Sequence, residues 1–206
     1  MKPASTLKTL KKKYPDAKYY LNFSNPLELL VAAILSAQCR DEVVNATTKL
    51  LFKKYKTAAD YTELDENDVK SITFFKNKAR NIKEAAKTIN EKHKGKVPQT
   101  IEQLTELPGI GRKTANAIMQ NAFGVVEGII IDTYGIRIPY RLGWTKNTNP
   151  DKIEQDLMKL FAKQYWKEIP WLMKELGRDK CRSPVAECSK CVLEKTCPKI
   201  GVTKKT

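Results

Sequence analysis

The sequence predicts an all-α protein. Three observations carry that reading. Asn-Pro pairs and capping residues open successive stretches; apolar residues recur at helical rather than alternating spacing; and only residues 128–131 look like a strand. Asn25 followed by Pro26 is an N-cap with proline at the first helical position, and Leu27, Leu29, Leu30, Ala33 and Ile34 give the helix behind it a broad apolar face. Asp41 is placed to cap the next helix, with Val43, Val44, Leu50, Leu51 and Phe52 behind it. Residues 77–93 read as a long exposed helix stopped by Gly95 and Pro98. Thr100 and Gln103 have the spacing of a capping box for a short helix ending near Leu107. Asn149 and Pro150 repeat the Asn-Pro start for a helix reaching about Trp166, and Pro170 opens another that Gly177 is expected to close.

Composition narrows the partner. At 206 residues the chain can form one large domain or two small ones, and its 41% hydrophobic and 30% charged residues are a globular mixture. Lys and Arg number 38 against 23 Asp and Glu, a formal charge of +15, which points to a polyanionic partner. The longest uncharged apolar stretch, residues 29–39, is far short of the roughly 20 needed to span a membrane. The N-terminus has lysines but no apolar core of the signal-peptide kind, so an intracellular, cytoplasmic protein is expected.

Reducing surroundings decide how the cysteines read. Cys181, Cys188, Cys191 and Cys197 are spaced C-x6-C-x2-C-x5-C. Four thiolates so close in sequence can converge on one metal centre rather than on disulfides. Zinc and an iron–sulfur cluster both remain open on spacing, although structural zinc usually uses paired C-x2-C units and this tail has one. Cys39, alone in an apolar helical stretch, reads as a buried thiol.

Residues 107–111, Leu-Pro-Gly-Ile-Gly, lie between two helices with Arg112, Lys113 and Thr114 opening the second, the spacing of a helix-hairpin-helix over about 100–123. Two glycines permit a tight turn whose amides, beside the positive end of a helix, form a phosphate-binding concavity. An αα-hairpin with glycines for geometry alone is the bland alternative, and the chain's charge favours DNA backbone binding. In the second helix Ala115, Ile118, Met119, Ala122 and Phe123 form a buried stripe; Lys113 falls on the other side with Asn116 and Gln120. Lys113 is either a solvated lysine or an amine nucleophile. Asp132, after three isoleucines, reads as a helix N-cap, which does not exclude a catalytic carboxylate.

The pieces LLVAAILSAQ at 29–38, LPGIGRKTAN at 107–116, Asp132 with Thr133, and the four-cysteine tail are similar, in that order, to endonuclease III, the iron–sulfur branch of the helix-hairpin-helix DNA glycosylases. The resemblance covers nearly the whole chain. It implies a two-lobed fold with DNA in the cleft: a six-helix barrel at about 20–127, and a second lobe of 1–19 with 128–206 holding a [4Fe–4S] cluster on the loop 181–197. It also implies a monomeric enzyme acting on double-stranded DNA with damaged bases or abasic sites. Lys113 takes the nucleophile's position and Asp132 the carboxylate's. Gln38 would fill the gap left by a flipped base, and Phe74 would wedge the duplex. Leu107, Gly109, Gly111, Arg112 and Thr114 would hold the backbone, with Lys180, Arg182 and Lys190 adding charge from the cluster loop. Lys78 and Arg80 are solvated or touch phosphates. His93 is a bystander.

The chain departs from the family in three places. Tyr134 and Leu176 stand where histidines are usual, and the loop 182–187 is less basic, with Lys180 and Lys190 in its place. Two alternatives compete: a monofunctional mismatch glycosylase, whose relatives lack the lysine, and a non-catalytic DNA-binding protein, which needs no Lys/Asp pair.

Overall fold

The computed structural model describes residues 2–206. Its secondary structure is helical apart from one two-residue parallel ladder, in which β1 (Val185–Ala186) pairs with β2 (Lys204–Lys205). The chain divides into two compact units, residues 20–125 and residues 1–19 with 126–206.

Unit 20–125 contains six α-helices. α2 (Pro26–Ser36) is its centre, packed on α3 (Asp41–Lys54), α5 (Phe75–His93) and α7 (Arg112–Ala122). Being surrounded, α2 is buried from Leu29 through Leu35, which is more than the one apolar face its sequence predicts. Asn25 caps it as expected, accepting from the Glu28 amide at 3.0 Å. α4 (Ala58–Thr62) lies on α5, and α6 (Ile101–Thr105) on α7. α5 shows one buried stripe of Ala79, Ile82, Ala85, Ala86 and Ile89, so it is amphipathic rather than wholly exposed. It ends where expected: Lys94 and Gly95 both take positive φ, and the Gly95 amide donates to Ile89 O at 3.0 Å.

The other unit contains α1 (Pro3–Lys13), α8 (Thr133–Leu142), α9 (Pro150–Leu160) and α10 (Ile169–Asp179). Its core joins Leu7 and Leu10 of α1 to Ile138 and Leu142 of α8, Ile153 and Leu157 of α9, and Leu172, Met173 and Leu176 of α10. The Tyr14 hydroxyl donates to Asp179 at 3.0 Å, tying the end of α1 to the end of α10. Asn149 caps α9, accepting from the Asp151 and Lys152 amides.

Several sequence expectations are corrected. Residues 128–131 pair with no strand; the isoleucines are apolar because Ile129 and Ile131 enter the core, and burial in an extended segment mimics a strand. The α3 N-cap is Arg40, with Asp41 inside the first turn, and Leu50 is 69% exposed because it falls off the buried face. Thr100 accepts from the Gln103 amide, and the return half of a capping box does not form. α9 stops at Leu160, and residues 163–165 make a separate 3-10 turn. Gly177 does not close α10. It lies inside the helix because α8 approaches there, and a Cβ at 177 would overlap the Tyr134 ring.

Candidate nucleic-acid interface and catalytic residues

In unit 20–125 the hairpin is anchored from inside. Leu107 and Ile110 are buried, and the Ile110 amide donates to Leu107 O at 3.1 Å, closing a tight turn. At 2% exposure the Leu107 side chain cannot touch a duplex, so only its main chain is left of its expected DNA contact. Gly109 is exposed at φ +84°, a conformation glycine alone adopts without strain, and Asn81 of α5 packs 3.0 Å from where a Cβ would stand. Gly111 is extended and caps α7 without a side chain. The first α7 amide with a backbone acceptor is that of Ala115, bonded to Gly111 O at 2.9 Å. The amides ahead of it project from the helix N-terminus, which has no acidic residue and exposes Arg112 and Lys113. Unsatisfied N–H groups, the positive helix end and two cations suit this turn to an anion.

Gly109→Ala is therefore expected to lower affinity for any duplex, damaged or not, by about tenfold, from strain of about 1–3 kcal/mol at a left-handed position and displacement of Asn81. Fluorescence-anisotropy titration at fixed salt checks it.

Asn116 and Gln120, expected on a solvated face with Lys113, are buried. Their side of α7 is not a wet surface, and Lys113 is exposed only because it stands in the first turn. Ala122 and Phe123, expected in the buried stripe, are half-buried at the helix end.

Gln38 and Phe74 share an unusual property. Both are exposed, non-glycine and left-handed, with φ of 52° and 58°. Gln38 follows the end of α2, and Phe74 is the residue before α5, 61% exposed. Lys78 is not on a solvated face: it is buried at 6% exposure, and its ammonium donates to Leu35 O and Ala37 O. Arg80 is exposed.

In the other unit Asp132 caps α8. Its Oδ1 accepts from the Tyr134 amide at 2.9 Å and the Gly135 amide at 2.8 Å. The second carboxylate oxygen takes no hydrogen bond among the described residues. One oxygen thus orients the side chain.

α8 then runs toward the cysteines. Arg137 stacks on the Tyr134 ring at 5.1 Å and donates to Cys181 O at 3.2 Å. Arg141, one turn on, donates to Cys181 O and Sγ and to Arg182 O. Sequence reasoning missed both arginines. Their i, i+4 spacing behind Asp132 was the available signal.

Cys181, Cys188, Cys191 and Cys197 line one pocket whose apolar wall includes Leu142, Leu176, Ala186, Leu193 and Val202. None forms a disulfide. The Leu193 amide donates to Cys191 Sγ and the Lys199 amide to Cys197 Sγ, each at 3.4 Å. Burial pushes the Cys191 and Cys197 thiols up, and neighbouring sulfurs add to the effect. Thiolates here need a cationic centre to neutralise them. Among the described residues no group of three or more His, Cys, Asp or Glu is set to hold a metal ion. Four cysteines lining one apolar-walled pocket, with N–H donors to the sulfurs of Cys181, Cys191 and Cys197, fit a polynuclear iron–sulfur centre.

The loop cations differ from expectation. The Lys180 ammonium is paired, 3.1 Å from Asp179 and 3.3 Å from Glu187. Arg182 is exposed but shares Glu187 at 3.4 Å. Glu187, within the loop, is shared by both cations, while Lys190 is exposed.

Fold and site together define a helix-hairpin-helix protein of the DNA-repair type. The family model "HhH-GPD superfamily base excision DNA repair protein" matches residues 31–163. Endonuclease III of Synechocystis sp. is 44% identical over 194 residues, covering 92% of this chain and 88% of that protein. Endonuclease III of Bacillus subtilis is 40% identical over 191 residues, covering 89% and 86%. A solved structure of a trapped endonuclease III–DNA covalent intermediate matches with a TM-score of 0.89 at 39% identity, covering 95% of this chain and 94% of that one. A thermostable thymine-DNA glycosylase shares the fold, with a TM-score of 0.84 at 21% identity. The chain belongs to the endonuclease III family.

Proposed function

We propose that this protein is a bifunctional DNA glycosylase and abasic-site lyase of base excision repair, acting on oxidised pyrimidines in duplex DNA. One observation carries the reading: an exposed amine, Lys113, stands in the first turn of an uncapped helix, beside the hairpin amides that can bind the DNA backbone. A relative solved as a covalent DNA intermediate supports it. The lobes are taken as 20–127 and 1–19 with 128–206, the protein as a monomer working at the nucleoid.

The chemistry needs an amine and a carboxylate and no histidine. The hairpin, through Gly109, Gly111, Arg112 and Thr114, holds phosphates while the damaged nucleotide leaves the stack, since its C1′ is unreachable inside a duplex. Asp132 accepts the proton that makes Lys113 nucleophilic and stabilises positive charge growing on the sugar. The Lys113 amine bonds to C1′ as the bond from C1′ to the base breaks, and the base departs with a proton. Ring opening gives a Schiff base between Nζ and C1′. Loss of a C2′ proton then expels the 3′ phosphate, cutting the strand 3′ to the site. Gln38 occupies the vacated gap and Phe74 presses the duplex. On the cluster loop, Lys190 and the partly neutralised Arg182 are the remaining cations toward DNA.

Cys181, Cys188, Cys191 and Cys197 would hold a [4Fe–4S] cluster. Bound there, it supplies a structural pin for the loop. Four cysteines in one apolar-walled pocket, with N–H donors to three of their sulfurs, support this reading.

Borohydride trapping on a duplex with one abasic site or one thymine glycol tests the reading. Wild type is expected to give a covalent adduct and Lys113→Gln none, with strand cleavage reduced at least about 10²-fold. Base loss without an adduct would make it a monofunctional glycosylase. Binding with neither would leave an architectural DNA-binding protein.

A further inference from the structure

Lys78 is the least expected cation in the molecule. It stands in the first turn of α5, where the helix dipole opposes positive charge, and it is buried. Burial lowers its pKa, partly opposed by the neighbouring Cys39. An ammonium is kept in such a place only by good acceptors. Its acceptors are Leu35 O at 2.8 Å and Ala37 O at 2.5 Å, carbonyls at the negative end of α2. α2 has no basic residue in its own last turn, so α5 supplies the cation its C-terminus lacks.

The consequence falls on the next residue. Gln38 takes φ 52° one position past the α2 C-cap, where glycine is usual. A non-glycine residue persists in that conformation when its surroundings fix it. The Ala37 carbonyl belongs to the peptide that joins Ala37 to Gln38, and Lys78 holds its oxygen. The Cys39 amide, donating to Ser36 O at 3.1 Å, holds the other side. Lys78 reaches the second exposed left-handed residue as well: its backbone amide donates to Phe74 O at 3.2 Å. One residue therefore bonds to the backbone beside Gln38 through its side chain and to Phe74 through its main chain.

We infer that Lys78 is a positioning residue that fixes Gln38 in its left-handed conformation, and fixes it relative to Phe74, so that the two act on the duplex as a set. This rests on the proposed glycosylase reading, in which Gln38 fills the gap left by a flipped nucleotide. Lys78 itself touches no DNA.

The test compares binding of an abasic-site analogue duplex (tetrahydrofuran) with binding of the undamaged duplex, for the full-length protein and for Lys78→Met, Gln38→Ala and the double variant. Wild type is expected to prefer the analogue. Lys78→Met should cut that preference at least tenfold while binding undamaged duplex within twofold of wild type. Gln38→Ala should cut it similarly, and the double variant should be no worse than Gln38→Ala within twofold, since residues acting through one another do not add. Amide hydrogen exchange at residues 37–40 should speed up in Lys78→Met, a readout that needs no activity. Lys78→Arg, which keeps charge and donors, covers the case in which the methionine variant folds poorly; it should retain most of the preference.

Three results would overturn the inference. Multiplying effects in the double variant would make Lys78 independent of Gln38. Equal loss on both duplexes, with a shallower salt dependence, would make Lys78 a phosphate contact. An unchanged preference with a lower melting temperature would leave it a purely structural cap. Failure of the glycosylase reading looks different: wild type itself then shows no preference for the analogue.

Discussion

Asp132→Asn is expected to leave the protein folded and to slow base release by about 10²–10⁴-fold, the range for losing a positioned proton-transfer group. The capping role of Asp132 and its proposed catalytic role separate cleanly at this substitution. As a cap, Asp132 needs one side-chain oxygen to accept the Tyr134 and Gly135 amides, and asparagine offers one. Asn and Asp are about equal at N-caps, so stability should change by no more than about 0.5 kcal/mol. As a catalyst, Asp132 needs a negative charge and a proton acceptor, and asparagine has neither. Single-turnover release of thymine glycol, measured beside thermal unfolding, checks both halves. Asp132→Ala should lose the rate and about 1 kcal/mol of stability besides. If Asp132→Asn kept the wild-type rate within threefold, Asp132 would be a helix cap and nothing more.

Gly177→Ala is expected to destabilise the unit that carries the cysteines, against its helix propensity. In a helix interior alanine is favoured over glycine by roughly 1 kcal/mol. Here the added methyl would overlap the Tyr134 ring and lie 3.2 Å from an Arg137 nitrogen. Both neighbours are constrained, since Arg137 lies over that ring and bonds to Cys181 O. Overpacking costs about 1–3 kcal/mol, so the steric effect wins and the melting temperature should fall by several degrees. Adding Tyr134→Ala should recover much of the loss relative to the sum of the single effects, because the two side chains share one space. Thermal unfolding of the wild type, the two single variants and the double variant reads this directly. A Gly177→Ala protein as stable as wild type would show that Tyr134 yields freely.

The same geometry accounts for two departures from the family. Tyr134 is a structural ring between Gly177 and Arg137, and Leu176, 1% exposed, belongs to the apolar core. Neither position needs an imidazole for packing. The weakly basic loop is also explained: Glu187 pairs with Lys180 and Arg182, so the loop spends its charge on holding its own shape.

Helix starts were legible where a single side chain defines them. Asn25 and Asn149 cap as their Asn-Pro signatures require, because the bond is local and independent of what packs above. Helix ends were less legible. Gly177 looked like a stop and is a close-approach residue, and three isoleucines looked like a strand and are core contacts. In both cases a long-range neighbour, invisible in the local pattern, overrides local preference.

By itself the sequence determined the helical class, the hairpin, the four-cysteine pocket and the identity of Lys113 and Asp132 as candidates. Each is carried by spacing along the chain, and spacing survives folding unchanged. Only the tertiary structure decided which charges are available. It buried Lys78 against the end of α2, neutralised Lys180 with Asp179 and Glu187, and enlisted Arg137 and Arg141 for the Cys181 loop. A lysine carries the same formal charge wherever it stands. What it can do depends on the acceptors that folding brings within about 3 Å of it, and those come from residues far away in sequence.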